Sequence, residues 1–193
     1  DDAVANVPVG PATQKAIFGF GTSPTVSITN LVSSSGVVAS DTAGVGTARY
    51  GLAAASYGGD KAIFGYGKLG DDSTRVSTTS LVSNSGVVSA DVTGVGTIRN
   101  YLAACSYGGD KAIFGYGDAA PATSITNKVS NSGVVATDTT GVGTVRMGLA
   151  AAGYGGDKAI FGYGDPGALS MTNLVSSSGV VATDTSGVGT GRS

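Results

Sequence analysis

The chain has 193 residues, with 33 glycines, 12% charged side chains, no His, Glu or Trp, and a net charge of -2. Such sparse charge, against about 25% in an average soluble domain, provides no basic field for nucleic acid, and no apolar run reaches the roughly 18 residues of a membrane-spanning helix. The length suits one domain, the Gly, Ala, Ser, Thr and Val content favours strands and turns, and acid-base chemistry would have to be done with Asp alone.

In chain order, Asp1-Asp2 is neither an initiator Met nor the start of a signal peptide, which fits a mature, trimmed or excerpted chain. "PATQKAIFGFG" begins at Pro11 and returns as "YGGDKAIFGYG", unchanged, at Tyr57, Tyr107 and Tyr154. Lys15, Lys61, Lys111 and Lys158 are spaced by 46, 50 and 47 residues, and the flanking "TNLVSSSGVVASDTAGVGTAR" recurs with them. A period in this range marks a repeat architecture. The repeats divide the chain at about 1–48, 49–98, 99–145 and 146–193 as one repeat domain.

Within a repeat, "LAAASY" reads as a strand of small residues, "GGD" as a tight turn needing positive φ, and "KAIFGYG" as the returning strand. In that strand Ala62, Phe64 and Tyr66 would share one face and Lys61, Ile63 and Gly65 the other. Apolar groups on both faces suit a sheet sandwiched between neighbours. A variable stretch follows, then "SITNLVS", a Gly-containing turn, and "VVASD" as a fourth strand. The expected fold is therefore all-β: a β-propeller of four antiparallel, four-stranded blades of roughly 48 residues, with "LAAAS" innermost, or part of a larger propeller or repeat array.

The repeated charges read first as framework. Asp60, Asp110 and Asp157 lie in the hairpin turns beside Lys61, Lys111 and Lys158, where a short carboxylate commonly bonds turn amides. Asp41, Asp91, Asp138 and Asp184 open the Gly-rich "D-[TV]-x-G-V-G-T" bend as Asx-turn formers, and Arg49, Arg99, Arg146 and Arg192 follow eight residues later. An Arg-Asp bond between blades is the expected role of these arginines, with an anion-catching ring around an axial channel as the alternative. Cys105 stands where the second repeat has Ala55 and reads as a small buried apolar residue.

Catalytic and metal chemistry find little to work with. There is no His for proton transfer, no phosphate loop followed by a helix, and Asp71-Asp72 is the sole acidic pair in the body of the chain. No enzyme activity, metal or cofactor is expected. The unrepeated part of each repeat is the loop after the aromatic strand: "TSPTVSI", "KLGDDSTRVST", "DAAPATSI" and "DPGALSM". Loops on a rigid scaffold are where binding usually resides, which nominates Lys68, Asp71, Asp72, Arg75, Asp118 and Asp165 as ligand-binding candidates.

Arg49, "LAAASYGGDKAIFGYG" and "TTSLVSNSGVV" together resemble the kelch repeat in order and length, although the kelch Trp and the Gly-Gly pair after the aromatic strand are missing. The wording "GGDKAIFGYG…NLVS…GVVA…GVGT" also resembles repeats of marine bacteriophage virion-associated and tail-fibre proteins. That resemblance implies a non-enzymatic structural or recognition module of a virion, fibre or extracellular assembly. Its partners would be neighbouring proteins, further copies of itself or a cell-surface glycan, with no nucleic acid and no membrane insertion. The alternative is a multivalent soluble lectin with one weak sugar site per repeat, using Tyr57, Tyr107 or Tyr154.

Overall fold

A computed structural model describes residues 16–193. Lys15, and the "AVANVPVGPATQ" stretch that precedes it, lie outside the described residues. Eleven strands and no helix make up the rest, in antiparallel sheets of two or three strands. The first repeat contributes β1 (Ala16–Gly21) and β2 (Val26–Val32). The second contributes β3 (Ala53–Tyr57), β4 (Lys61–Gly65) and β5 (Thr79–Val82). The third contributes β6 (Ala103–Tyr107), β7 (Lys111–Gly115) and β8 (Thr126–Val129), and the fourth β9 (Ala150–Tyr154), β10 (Lys158–Gly162) and β11 (Thr172–Val175).

Registers repeat with the sequence. Tyr57 pairs with Lys61 and Ala53 with Gly65 across the first full hairpin, and Tyr107 with Lys111 and Ala103 with Gly115 across the next. The two turn glycines take positive φ in each case, 63° and 81° at Gly58 and Gly59, which a side chain would resist. The middle strand is buried on both faces, Ile63 on one and Phe64 on the other. One apolar cluster joins the second and third repeats through Tyr57, Ile63, Tyr66, Leu102 and Phe114, and another joins the third and fourth through Cys105, Tyr107, Tyr116, Leu149 and Phe161.

The small-residue strands β3, β6 and β9 sit at one edge of their sheets and pack against one another from repeat to repeat. Ala side chains permit that approach, and the Ser106 hydroxyl donates across it to the Ser56 carbonyl at 2.9 Å. The hairpin turns are also linked, since Gly58 N–H donates to the Asp110 carbonyl and Gly108 N–H to that of Asp157, each at 2.7 Å.

Two expectations are corrected. The fourth strand is not continuous: "VVASD" meets its neighbour only at bridges such as Val129–Val135 and Thr126–Thr139. Three residues lie between these bridges on that side and two on the other, a bulge, and the Asn127 amide fills it by donating to the Ala136 carbonyl at 3.0 Å. Tyr66 does not continue the face of Phe64. The strand ends at Gly65, and Tyr66 adopts φ 66°, as do Phe20, Tyr116 and Tyr163 near the same value. A bulky residue in the left-handed region is strained, and the turn redirects its ring out of the sheet alternation.

Candidate functional site

The redirected ring is a platform for arginine. The Arg49 guanidinium lies 4.3 Å from the Phe20 ring centroid, Arg99 lies 4.1 Å from Tyr66, Arg146 4.7 Å from Tyr116 and Arg192 3.7 Å from Tyr163. The neighbouring repeat places a Phe edge-on against the same platform: Phe64 on Phe20, Phe114 on Tyr66 and Phe161 on Tyr116, with centroids 5.1 to 5.3 Å apart. With each repeat counted through the arginine that closes it, Phe20, Tyr66 and Tyr116 each hold a cation from their own repeat and a ring from the next, and Tyr163 holds the cation alone.

The arginine then reaches into that next repeat. Arg99 donates to the Asn127 amide oxygen at 2.6 Å and to its own repeat's Thr97 carbonyl at 3.1 Å. Arg146 donates to Asn173 and to the Met171 carbonyl. In the second repeat Ser80 replaces this Asn, and the shorter side chain lets Arg49 contact both Ser80, at 2.9 Å, and Asp91, at 3.3 Å. The expected Arg-Asp pair is direct at Arg49 and Asp91; at Arg99 and Arg146 the Asn stands between, its amide nitrogen donating to Asp138 or Asp184 at 2.9 Å. Arg49, Arg99 and Arg146 have no exposed surface, so they line no channel. Burial lowers the pKa of Arg99, and its neighbours Tyr66 and Asp138 oppose that shift.

The bend aspartates act across the same junction. Asp91, Asp138 and Asp184 accept from the backbone N–H of Thr47, Thr97 and Thr144, all in the preceding repeat. They tie repeats together instead of closing Asx turns within their own. Partial burial works against the charge of Asp138, but hydrogen bonds from Thr97 and Asn127 and the nearby Arg99 outweigh it and hold the carboxyl below its ordinary pKa. Asp91 and Asp184 are shifted the same way.

The hairpin pairs serve the turns. Asp60 accepts from Lys61 at 3.0 Å and from Asn84 at 3.2 Å, and Asp110 from Lys111 at 2.7 Å and Asn131 at 3.0 Å; their carboxylates bond side chains where turn amides were expected. These bonds lower both carboxyl pKa values. Asp157 and Lys158 are 3.9 Å apart. Tyr57 and Tyr107 are buried against Gly133 and Gly179 of the following repeat, which removes them from the surface a sugar would meet, whereas Tyr154 is 41% exposed.

The loop candidates fall into two groups. Arg75, from the second repeat, and Asp118, from the third, form a salt bridge at 2.5 Å, with Arg75 also donating to Asn100 at 3.0 Å. Lys68 bridges to Arg75 through the backbone and adds its charge to the field that lowers the Asp118 pKa. Asp71 closes its own turn by accepting from Ser73 and Thr74, which pulls its carboxyl well below the ordinary range. Asp72 accepts from the Tyr50 hydroxyl, an interaction that pushes Tyr50 up to about 12. Asp165 accepts from the Ala168 N–H in a loop of its own. The second and third loops are thus joined into one polar surface, and the fourth stands apart.

Among the described residues no three His, Cys, Asp or Glu side chains gather as metal ligands, and no helix is long and apolar enough to cross a membrane. Cys105 is buried, and burial pushes its thiol up to about 12. A cavity of about 300 Å³ between the first two repeats is lined by Ala16, Ile17, Leu31 and Phe64, and its polar wall is the Asp60, Lys61 and Asn84 set already paired. No protein-family model matches the chain, and no curated protein matches it.

Sequence reasoning missed the Asn of "TN" as the hub of the junction and the tyrosine of "GYG" as its platform. The signals were present: Asn30, Asn127 and Asn173 share one repeat position, and each platform aromatic lies between two glycines.

Proposed function

We propose that the chain is a non-enzymatic structural and recognition module of a virion, fibre or other extracellular assembly, built from β-propeller blades or from part of a larger repeat array, and engaging protein or surface glycan through its variable loops. One observation carries this reading. The repeated charged and polar groups are taken up by the framework, either holding repeat to repeat or bracing the hairpin turns, so the side chains that differ between repeats are the ones left to discriminate a ligand.

The sheet make-up and the packing of small-residue strands from repeat to repeat support blades. The kelch-like order of Arg, small strand, Gly-rich turn and aromatic strand supports the same reading, and the resemblance to phage virion and tail-fibre repeats supports the setting. The joined surface of Lys68, Arg75 and Asp118 is the best candidate for contact, because it combines both signs of charge on two adjacent loops.

The test is binding to immobilised cell-surface glycans and to candidate assembly proteins, comparing the native chain with one in which the loop 68–75 is replaced by the shorter loop 165–170. Binding that the graft abolishes, with cooperative unfolding retained, supports the reading. Binding untouched by the graft removes the second loop from the site, and turnover of any offered substrate would overturn the non-enzymatic assignment.

A further inference from the structure

The third repeat departs from its sisters at two adjacent residues. After the buried arginine the second repeat reads Tyr50-Gly51, the third Asn100-Tyr101 and the fourth Met147-Gly148. The backbone is the same in all three: φ is 61° at Gly51, 51° at Tyr101 and 61° at Gly148. A chain of bonds links them, with Tyr101 N–H donating to the Gly51 carbonyl at 2.7 Å and Gly148 N–H to the Tyr101 carbonyl at 2.8 Å. Glycine takes this left-handed conformation freely, and a bulky residue is strained in it.

Nothing in the packing offsets that strain. Tyr66, also left-handed, is fully buried between Arg99 and Phe114. Tyr101 is 46% exposed, and among the described residues its ring joins no apolar cluster and no aromatic pair. It rests against Gly51, where a Cβ would come within 3.2 Å of it. Asn100 is unfavourable in a second way, since it is buried and its amide nitrogen has no partner among the described residues. Yet its amide oxygen fixes Arg75 at 3.0 Å, and its backbone bridges to Asp118. Two adjacent residues that cost stability and border the joined loop surface have the pattern of a functional site.

The surroundings select the ligand class. An aromatic face carries partial negative charge that attracts C–H groups, and a sugar ring offers such a face with hydroxyls around its rim. Near Tyr101, Lys68 bridges through its backbone to Tyr50 and to Arg75, and among the described residues its ammonium and Arg75 Nη1 have no acceptor. Asp72 accepts from Tyr50, and Asp118 from Arg75 and the Ala120 N–H. An ionised carboxylate has about four acceptor sites, so both retain capacity for hydroxyls. Two cations face these two carboxylates, with Asp71 engaged in its own turn, which leaves little net charge for an ionic ligand. An isolated exposed ring set among such groups also lacks the desolvated pocket of a protein hot spot.

We propose that Tyr101 is the stacking platform of a neutral-saccharide site at the junction of the second and third repeats, with Lys68, Asp72, Arg75 and Asp118 as its hydrogen-bonding rim. The site lies at an internal junction, with a described repeat on each side. It rests on the recognition reading above and deepens it, naming the ligand class and adding a residue outside the variable loops. Gly51 and Gly148 carry no ring, so the second and fourth repeats lack the platform.

The experiment uses the intact chain carrying ¹³C-labelled tyrosine, titrated to millimolar concentration with neutral tetrasaccharides of glucose, galactose and mannose. The Tyr101 ring signal, identified by its loss in Tyr101→Gly, is followed by NMR, and saturable movement with at least one sugar is expected. In calorimetry Tyr101→Gly should weaken that binding at least tenfold, about 1.4 kcal/mol, while the unfolding midpoint stays unchanged or rises because glycine fits the backbone. Tyr101→Phe, which keeps the ring, should retain the binding. A ring signal unmoved by every sugar, binding indifferent to Tyr101→Gly, or a clearly lowered midpoint in that variant would each overturn the proposal. A signal moved by candidate assembly proteins and by no sugar would overturn the saccharide class. The loop 68–75 graft leaves Tyr101 in place, so binding lost in the graft but kept in Tyr101→Gly sinks this proposal and leaves the loop reading standing.

Discussion

Arg99 has no exposed surface because three kinds of partner converge on it: the Tyr66 face, the Asn127 amide oxygen and the Thr97 carbonyl. A buried guanidinium is stable only when so surrounded, and Asp138 supplies the compensating charge through Asn127 and Thr97. Its carboxyl pKa is depressed in the folded chain, as are those of Asp91 and Asp184. The unfolded chain therefore binds protons first as pH falls below the ordinary carboxylate value of about 3.9, and stability rises with pH across that window. The contribution is present above the unfolded pKa and lost as pH falls through the folded one. Asp138→Asn should be less stable than the native chain near neutrality, and the gap should close as pH falls through this range. Urea midpoints measured across pH test this; a gap that stays constant into acid would remove ionised Asp138 from the junction.

At the scale of the element, the middle strand is the unit that neighbours share. Gly115 ends β7 with the Phe161 ring over it, so that a Cβ placed there would lie 2.6 Å from that ring. Phe161 is fully buried and cannot withdraw. Overpacking of this kind costs about 1 to 3 kcal/mol. Gly115→Ala should lower the unfolding free energy by about that much, whereas Gly162→Ala, whose nearest neighbour is a Thr172 methyl at 3.2 Å, should cost well under 1 kcal/mol in the monomer. Equal effects in denaturant titrations would mean that the Phe does not set the spacing between repeats.

Much of this element-level pattern was legible beforehand. Period, strand positions, the Gly-Gly turn and burial on both faces follow from alternation and glycine placement in "LAAASYGGDKAIFG". Alternation misled at Tyr66, because a pattern of period two continues through "GYG" while the backbone leaves the strand at Gly65. The hub role of Asn127 was hidden for a related reason: its place in a strand says nothing of the partner that another repeat brings to it. The loop candidates were legible as unrepeated residues, but not the pairing of Arg75 with Asp118, which depends on how two repeats are set side by side.

For the whole molecule, stability is distributed along a line of junctions, each contacting its neighbours, and such arrays can open in parts. Cys105 reports on this, since it sits in the cluster joining the third and fourth repeats, with its thiol buried and its pKa pushed up to about 12. A thiol reagent needs the thiolate and access, so labelling of Cys105 measures opening of that region. Replacing a platform arginine by lysine keeps the charge but loses planar stacking and the forked donors, at a cost of about 2 kcal/mol in a buried setting. If the junctions are energetically local, Arg146→Lys should raise the Cys105 labelling rate by about tenfold or more, while Arg49→Lys, at the first junction, should leave it nearly unchanged. Labelling under native conditions, with reclosing faster than reaction, separates the two cases: equal acceleration by both substitutions would mean that the described repeats open as one cooperative body.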